Sequence, residues 1–284
     1  MAINYPLQQP VNVAPGAVAT LTIPAGGALT LTGIMLLLTG TTFTKAHISA
    51  IKVKVGPRLI WDLTIAQINA INNYKGNADG PGFLYLDFTE RDQALFPQKE
   101  IGGIDLYQAM SIGNVIVEVT LLGTAVAPQI NAIGFFEPTQ GNPVVLKYLN
   151  YPASSSVAGK VTLPLNFRGA LVKRLWTFYA GTNWTGTANG NVNRMEVKKN
   201  GQVIFDQTCL GARFLQVQNK KTPQANLYVT DFIVDNNAQA QITTISQAGG
   251  GDAKVYDQFE FNTYLTASDS LNNVVEAIDL ITNL

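Results

Sequence analysis

The sequence predicts an all-β protein made of two similar antiparallel sandwiches in tandem. Three observations carry that expectation. Short alternating runs of apolar and polar residues end in Gly, Pro or Asn; only two stretches have helical periodicity; and an ordered repetition recurs at an offset of about 140 residues.

Val18-Ala19-Thr20-Leu21-Thr22-Ile23 alternates and stops at Pro24 and the Gly26-Gly27 pair. Ala28 to Thr39 follows as a run apolar enough for a strand buried on both faces. Ile51-Lys52-Val53-Lys54-Val55 alternates cleanly up to Gly56-Pro57. A helix is expected from Leu63 to Tyr74, with Asp62 as N-cap and Ile65, Ile68, Ile71 and Tyr74 on one face. Three more strands are expected at Leu84 to Phe88, Val115 to Leu122 and Ile130 to Phe136, and a shorter helix over Gly211 to Gln218.

The repetition is ordered along the chain. Thr20-Leu21-Thr22-Ile23-Pro24 returns as Lys160-Val161-Thr162-Leu163-Pro164, and Gly27-Ala28-Leu29 as Gly169-Ala170-Leu171. Val53-Lys54-Val55, a turn and Leu59-Ile60-Trp61-Asp62 return as Val197-Lys198-Lys199, a turn and Val203-Ile204-Phe205-Asp206. Leu84 to Phe88 is answered by Leu227 to Phe232, and Val115 to Glu118 by Phe259 to Asn262. A solenoid unit runs about 20–50 residues, so this period is a whole domain. The boundary is expected between Thr139 and Val157, where Gln140-Gly141-Asn142-Pro143 and Pro152-Ala153-Ser154-Ser155-Ser156 read as linker and turn. That gives a first domain of residues 1–140 and a second of 141–284.

Apolar residues make up 46% of the chain and charged residues 13%, about half the share usual in soluble domains. Such a chain fills a large core but has few charges to solvate a free surface, which points to surface covered by other protein. Nineteen basic and nineteen acidic residues cancel, so no global field attracts nucleic acid, and no direct nucleic-acid binding is expected. Met1 to Thr44 carries no charge, yet Pro15, Pro24, Gly26 and Gly27 interrupt it. Its run Ile34 to Leu38 is far short of the about 20 residues of a spanning helix. The first residues lack the basic stretch of a secretory signal, so a soluble protein made in the cytoplasm of its producer is expected.

Few residues suggest chemistry. Cys209 is the single cysteine and reads as a small buried apolar group, and no intrachain disulfide is available. His47 is the single histidine, which excludes multi-histidine metal sites and reads as a turn residue. No phosphate-cradling loop or nucleophile elbow occurs; Gly249-Gly250-Gly251-Asp252 reads as a flexible loop. No catalytic or cofactor-binding residue is assigned. Asp87, Glu90 and Asp92, with Arg91, form the densest acidic cluster and are weak candidates for a calcium ion; local charge pairing around a turn is the plainer account. Asn183-Trp184-Thr185 fits a glycosylation sequon in a Thr- and Gly-rich loop. Trp61 and Trp176 fall in repeat-matched strands and are expected in the core, which leaves Trp184 as the candidate for an exposed contact.

The segment Ile48-Ser49-Ala50-Ile51-Lys52-Val53-Lys54-Val55-Gly56-Pro57-Arg58-Leu59-Ile60 places a strand, a tight turn and a short strand directly before the helix. With the strand order, the duplication and the chain length, it resembles the double jelly-roll major capsid proteins of tailless, icosahedral, membrane-containing bacteriophages, of the corticovirus and finnlakevirus type. The resemblance covers nearly the whole chain. It implies two tandem eight-stranded jelly rolls, each with a short helix, in a capsid protein of the virion that is not an enzyme. It further implies homotrimeric, pseudo-hexameric capsomers, with neighbouring capsomers, a penton protein, minor membrane proteins and an internal viral membrane as partners. The uncharged N-terminal segment then reads as an arm toward a neighbour or the membrane.

Two other readings compete. A carbohydrate- or receptor-binding spike of double-sandwich form needs exposed aromatic residues or calcium at loop tips, for which the chain offers Trp184 and the cluster from Asp87 to Asp92. A two-domain hydrolase needs a cleft lined by acids such as Glu118 and Asp206.

Overall fold

A computed structural model describes residues 3–90, 93, 99, 101–139, 141–164, 170–237, 240–247 and 254–281. The chain divides into two compact units, residues 1–148 with 278–284, and residues 149–277.

In unit 1 the strands are β1 (Ile3–Pro6), β2 (Val18–Ile23), β3 (Leu29–Thr39), β4 (Ile48–Val55), β5 (Arg58–Thr64), β6 (Phe83–Asp87), β7 (Ile104–Asp105), β8 (Val115–Leu121) and β9 (Gln129–Pro138). One sheet has the order β1-β9-β3-β6, with β7 beside the start of β3. The other has the order β2-β8-β4-β5. β10 (Val144–Ser155) begins in this unit, where Tyr148 pairs parallel with Trp61 of β5. Strict alternation explains the two-sheet packing: β8 reads BiBiBiB in burial, so every second side chain, from Val115 to Leu121, enters the core. Leu21, Leu31, Ile34, Val53 and Val117 fill it at 1% exposure or less. Gly33 sits where β3 shifts register against β9, and a Cβ there would collide with the Tyr85 ring that lies across it.

The helix α1 spans Ile65–Lys75, two residues later than the sequence suggests, and its N-cap is Thr64, not Asp62. Thr64 and Gln67 form a reciprocal capping box: the Thr64 hydroxyl accepts from the Gln67 amide at 3.3 Å, and the Gln67 side chain accepts from the Thr64 amide at 2.9 Å. Asp62 and Leu63 instead continue β5, Asp62 opposite Lys52 and Leu63 in the core at 1% exposure. Gly76, at φ 74°, closes the helix in the left-handed conformation. One further helical turn covers Leu106–Ala109.

Unit 2 repeats this plan with the rest of β10, then β11 (Gly159–Pro164), β12 (Leu171–Tyr179), β13 (Val192–Lys199), β14 (Gln202–Thr208), α2 (Cys209–Gln218), β15 (Leu227–Asp231), β16 (Ile242–Thr243), β17 (Ile245–Gln247), β18 (Lys254–Tyr256), β19 (Phe259–Leu265) and β20 (Asp269–Leu280). Its sheets run β15-β12-β20-β10, with β16 beside β12, and β11-β19-β13-β14; β17 and β18 form a separate ribbon. Val172, Leu175, Met195, Val197, Phe261 and Val275 are fully buried in its core. Each unit is thus four strands on four with a helix after its fifth strand, the jelly-roll order. One expectation is corrected: Pro152-Ala153-Ser154-Ser155 belongs to β10 and is not a linker. Half-buried Ala153 and Ser155 alternate with exposed Pro152 and Ser154 along an extended strand, a composition that resembles a linker when pairing is unseen.

Candidate assembly surface

The two helices differ on their outer faces although they occupy the same place in the repeat. On α1 that face carries Ala66, Asn69, Ala70 and Asn73. On α2 it carries Phe214 and Val217, 67% and 61% exposed. The strands before the helices differ in the same sense. In β5, Ile60 is 1% exposed; its repeat-mate in β14, Ile204, is 38% exposed. Unit 2 therefore shows, along β14 and α2, an apolar face that unit 1 lacks. Exposed apolar residues side by side mark an interaction surface.

The acidic cluster is only partly assembled. Asp87 and Glu90 are buried beside a polar cavity of about 160 Å3 that Lys75, Asn77 and Thr89 also line. Asp87 accepts from the Thr89 amide and hydroxyl, each at 3.1 Å, and from Asn77 at 3.2 Å. Glu90 lies 3.3 Å from the Lys75 ammonium. Asp92 and Arg91 lie outside the described residues, as does the glycine run Gly249 to Asp252. Among the described residues no three His, Cys, Asp or Glu side chains converge as a metal site.

Glu118 pairs with Lys54 within β8 and β4 of unit 1, and Asp206 takes a two-pronged contact from Arg194 within unit 2. The Arg194 guanidinium beside Asp206 holds that carboxylate below its usual range. Both acids thus belong to cross-strand ion pairs. His47 closes a single 3-10 turn, its Nδ1 accepting from the Thr44 amide at 3.2 Å. Cys209 is buried at 1% exposure, and burial pushes its thiol up to about 11. Trp61 and Trp176 are core residues at 3% and 0% exposure. Trp184 departs from expectation: it is half-buried against the unit 2 core, with Arg213 over its ring and its Nε1 donating to the Gln224 carbonyl at 3.0 Å. A tryptophan in a polar loop finds its apolar contact by folding back, which only the tertiary structure decides.

The sequence reading missed a buried charge network in unit 2. Glu276 accepts from Arg174 at 3.1 Å and from the Trp176 indole at 3.0 Å, and lies 3.5 Å from the Lys173 ammonium. Arg174 also donates to Asp231 at 2.9 Å. The four charged side chains are no more than 2% exposed. The available signal was Lys173-Arg174 within an otherwise apolar strand.

Among the described residues no helix is long and apolar enough to cross a membrane. A family model for the viral coat protein P2 N-terminal domain matches residues 4–137, and one for the P2 C-terminal domain matches residues 145–281. Among solved structures, the major capsid protein P2 of bacteriophage PM2 is similar with a TM-score of 0.78 at 15% identity, over 99% of this chain and 98% of that one. The major capsid protein of STIV reaches 0.68 at 12% identity, over 99% and 97%. The PBCV-1 virus capsid reaches 0.58 at 11%, over 98% and 94%. No curated protein sequence matches. Two matched coat domains cover nearly the whole chain, and each folds as the jelly roll that its alternating strands predict; the chain belongs to the viral coat protein P2 family and is a double jelly-roll capsid protein of the virion.

Proposed function

We propose that three copies of the chain assemble about a three-fold axis into a six-lobed capsomer that tiles an icosahedral shell. The observation that carries this is the element-for-element repetition of one jelly roll in the other, β2 to β11 through β9 to β20. Two similar lobes per chain and three chains give a nearly hexagonal tile, and closed cyclic symmetry is the usual form of a homo-oligomer. The low charge content of 13% supports extensive lateral burial. On this reading the role is structural and not catalytic, and residues 1–140 and 141–284 are the two lobes. The partners are further copies, a penton protein and minor membrane proteins. The shell lies close to an internal membrane and is assembled in the cytoplasm of the host.

We also infer that the Lys75 ammonium answers Asp87 and Glu90 in place of a calcium ion, so that the fold needs no cofactor. Chelation then leaves the melting temperature unchanged, whereas a chelator-sensitive transition restored by calcium overturns that inference. The capsomer is tested by single-particle electron microscopy with the solution mass of the same fraction. A trimeric mass with six-lobed projections is the expected result. A monomer with two plain lobes overturns it, and a glycan-array signal from that monomer would favour the spike reading. Deleting Met1 to Pro15 also removes β1 from beside β9, so it is expected to impair shell assembly and to destabilise the first jelly roll; normal shells from that truncation refute the arm.

A further inference from the structure

The repetition extends to the ends of the strands and leaves two unmatched edges. Ile3-Asn4-Tyr5-Pro6 of β1 returns almost unchanged as Leu149-Asn150-Tyr151-Pro152 within β10. Both segments flank the matching strand of their own jelly roll: β1 lies on β9, and β10 lies beside β20 in unit 2. The residues just before Leu149 have a second task. In unit 1, Tyr148 pairs parallel with Trp61 of β5, and the Trp61 indole donates to the Leu146 carbonyl at 2.9 Å. Among the described residues, β1 has no strand on its other side.

β14 is the repeat-mate of β5, and it ends its sheet with β13 as its one strand neighbour among the described residues. The surroundings correspond residue by residue. In unit 1, Trp61 lies between Phe88 and Tyr148, with ring centres 4.8 Å away on either side. In unit 2, Phe205 meets Phe232, the counterpart of Phe88, at 6.0 Å. The two amides that fix the helices also match: Asn72 donates to the Tyr85 carbonyl at 2.8 Å, and Gln216 to the Val229 carbonyl at 3.1 Å. Both units keep the small pocket between strand and helix. In unit 1, Tyr148 lines it with Trp61, Ile68 and Ile71; in unit 2, Phe205, Ala212 and Leu215 line it with no counterpart of Tyr148. The exposure of Ile204, at 38% against 1% for Ile60, follows from that missing cover, whereas Val203 and its counterpart Leu59 are both exposed.

We propose that the N-terminal strand of a second copy supplies it, its start lying parallel to β14 beside Phe205 as β10, at Tyr148, lies parallel to Trp61 of β5. The inference rests on the trimer proposed above and names the contact that closes it. The repeat assigns this partner in particular, because the segment that precedes a jelly roll is what covers β5 in unit 1. In the first jelly roll, β1 is the counterpart of Leu149–Pro152 and so holds that place in the repeat. One open strand edge of a jelly roll is then matched by the other, and backbone amides and carbonyls on both gain partners. A contact between two different patches is head-to-tail, and such contacts close into rings when the rotation allows. Three such contacts make the three-fold ring.

The test mixes two variants that each add one cysteine, Ile3→Cys and Ile204→Cys, in one assembly reaction, followed by a short bis-maleimide. Wild-type Cys209 is buried, so the wild-type chain is the blank. The expected result is a covalent dimer only when both variants are present, and a covalent trimer from the Ile3→Cys, Ile204→Cys double variant. In parallel, Ile204→Glu is expected to weaken self-association about tenfold or more while its melting curve as an isolated chain stays near that of the wild type. A trimer that survives Ile204→Glu and gives no cross-link overturns this contact alone. A wild-type chain that never associates overturns the trimer and this contact together.

Discussion

Removing the charge of Glu276 is expected to be the most damaging conservative substitution in unit 2. Glu276→Gln keeps the shape and leaves Arg174, Lys173 and Asp231 in place, so a volume that held two positive and two negative groups becomes net positive. At 2% exposure or less, water cannot screen the excess. Breaking one partner out of a buried ion pair costs about 3–5 kcal/mol. Against a total stability of about 5–15 kcal/mol, that is a large share. In a domain of this size each kcal/mol lowers the melting temperature by about 2–4 °C, so the transition should fall by roughly 6–20 °C. The assay is urea and thermal unfolding of the unassembled chain, followed by circular dichroism. A second variant isolates the electrostatic cause: Lys173→Met together with Glu276→Gln restores neutrality and is expected to recover a substantial part of the loss, a coupling read by the double-mutant cycle. A Glu276→Gln chain within about 0.5 kcal/mol of wild type, the range of ordinary surface changes, would refute the reasoning, because it would mean that water or protonation relieves the excess charge.

Three further outcomes follow from the packing. Ile60→Ala should cost about 2–5 kcal/mol in the isolated chain, as buried isoleucines do, and Ile204→Ala clearly less; equal losses in urea melts would deny that β14 is uncovered. Gly33→Ala forces the Tyr85 ring off β3 and should cost about 1–3 kcal/mol, with a compensating gain when Tyr85→Leu is added; an unchanged melt for the single variant removes the steric argument. Cys209 titrates near 9 when exposed and near 11 when folded, so the native state holds its proton longer than the unfolded chain does. Its contribution is complete below pH 9 and declines as pH rises to 11, and Cys209→Ala should flatten that part of the stability profile. Rapid labelling of the native thiol at pH 8 would contradict its burial.

Strand alternation, the two helices and the duplication are local properties, and they were legible because each is written in residues near one another in the chain. A period of two marks β8 without any knowledge of β2 or β4, and a repeat near 140 residues marks a second domain without any contact being known. The cap of α1 was read two residues early because Asp62 and Thr64 are both good caps in isolation; the reciprocal bond with Gln67 and the pairing of Asp62 opposite Lys52 decide between them. Trp184 was misplaced for a related reason, since its loop gives no sign of the core it folds onto. The charge network of Arg174, Lys173, Asp231 and Glu276 joins Arg174 to Glu276 across 102 residues, and no local pattern connects them. The asymmetry between β5 and β14 is equally non-local. Ile60 and Ile204 sit in nearly identical sequence, and what separates their fates is whether another strand lies alongside. Alternation and repetition are properties of the chain, and two jelly rolls of one design can be read from them. Which strand edges are covered is visible only in the folded molecule, because it depends on where a distant segment comes to lie.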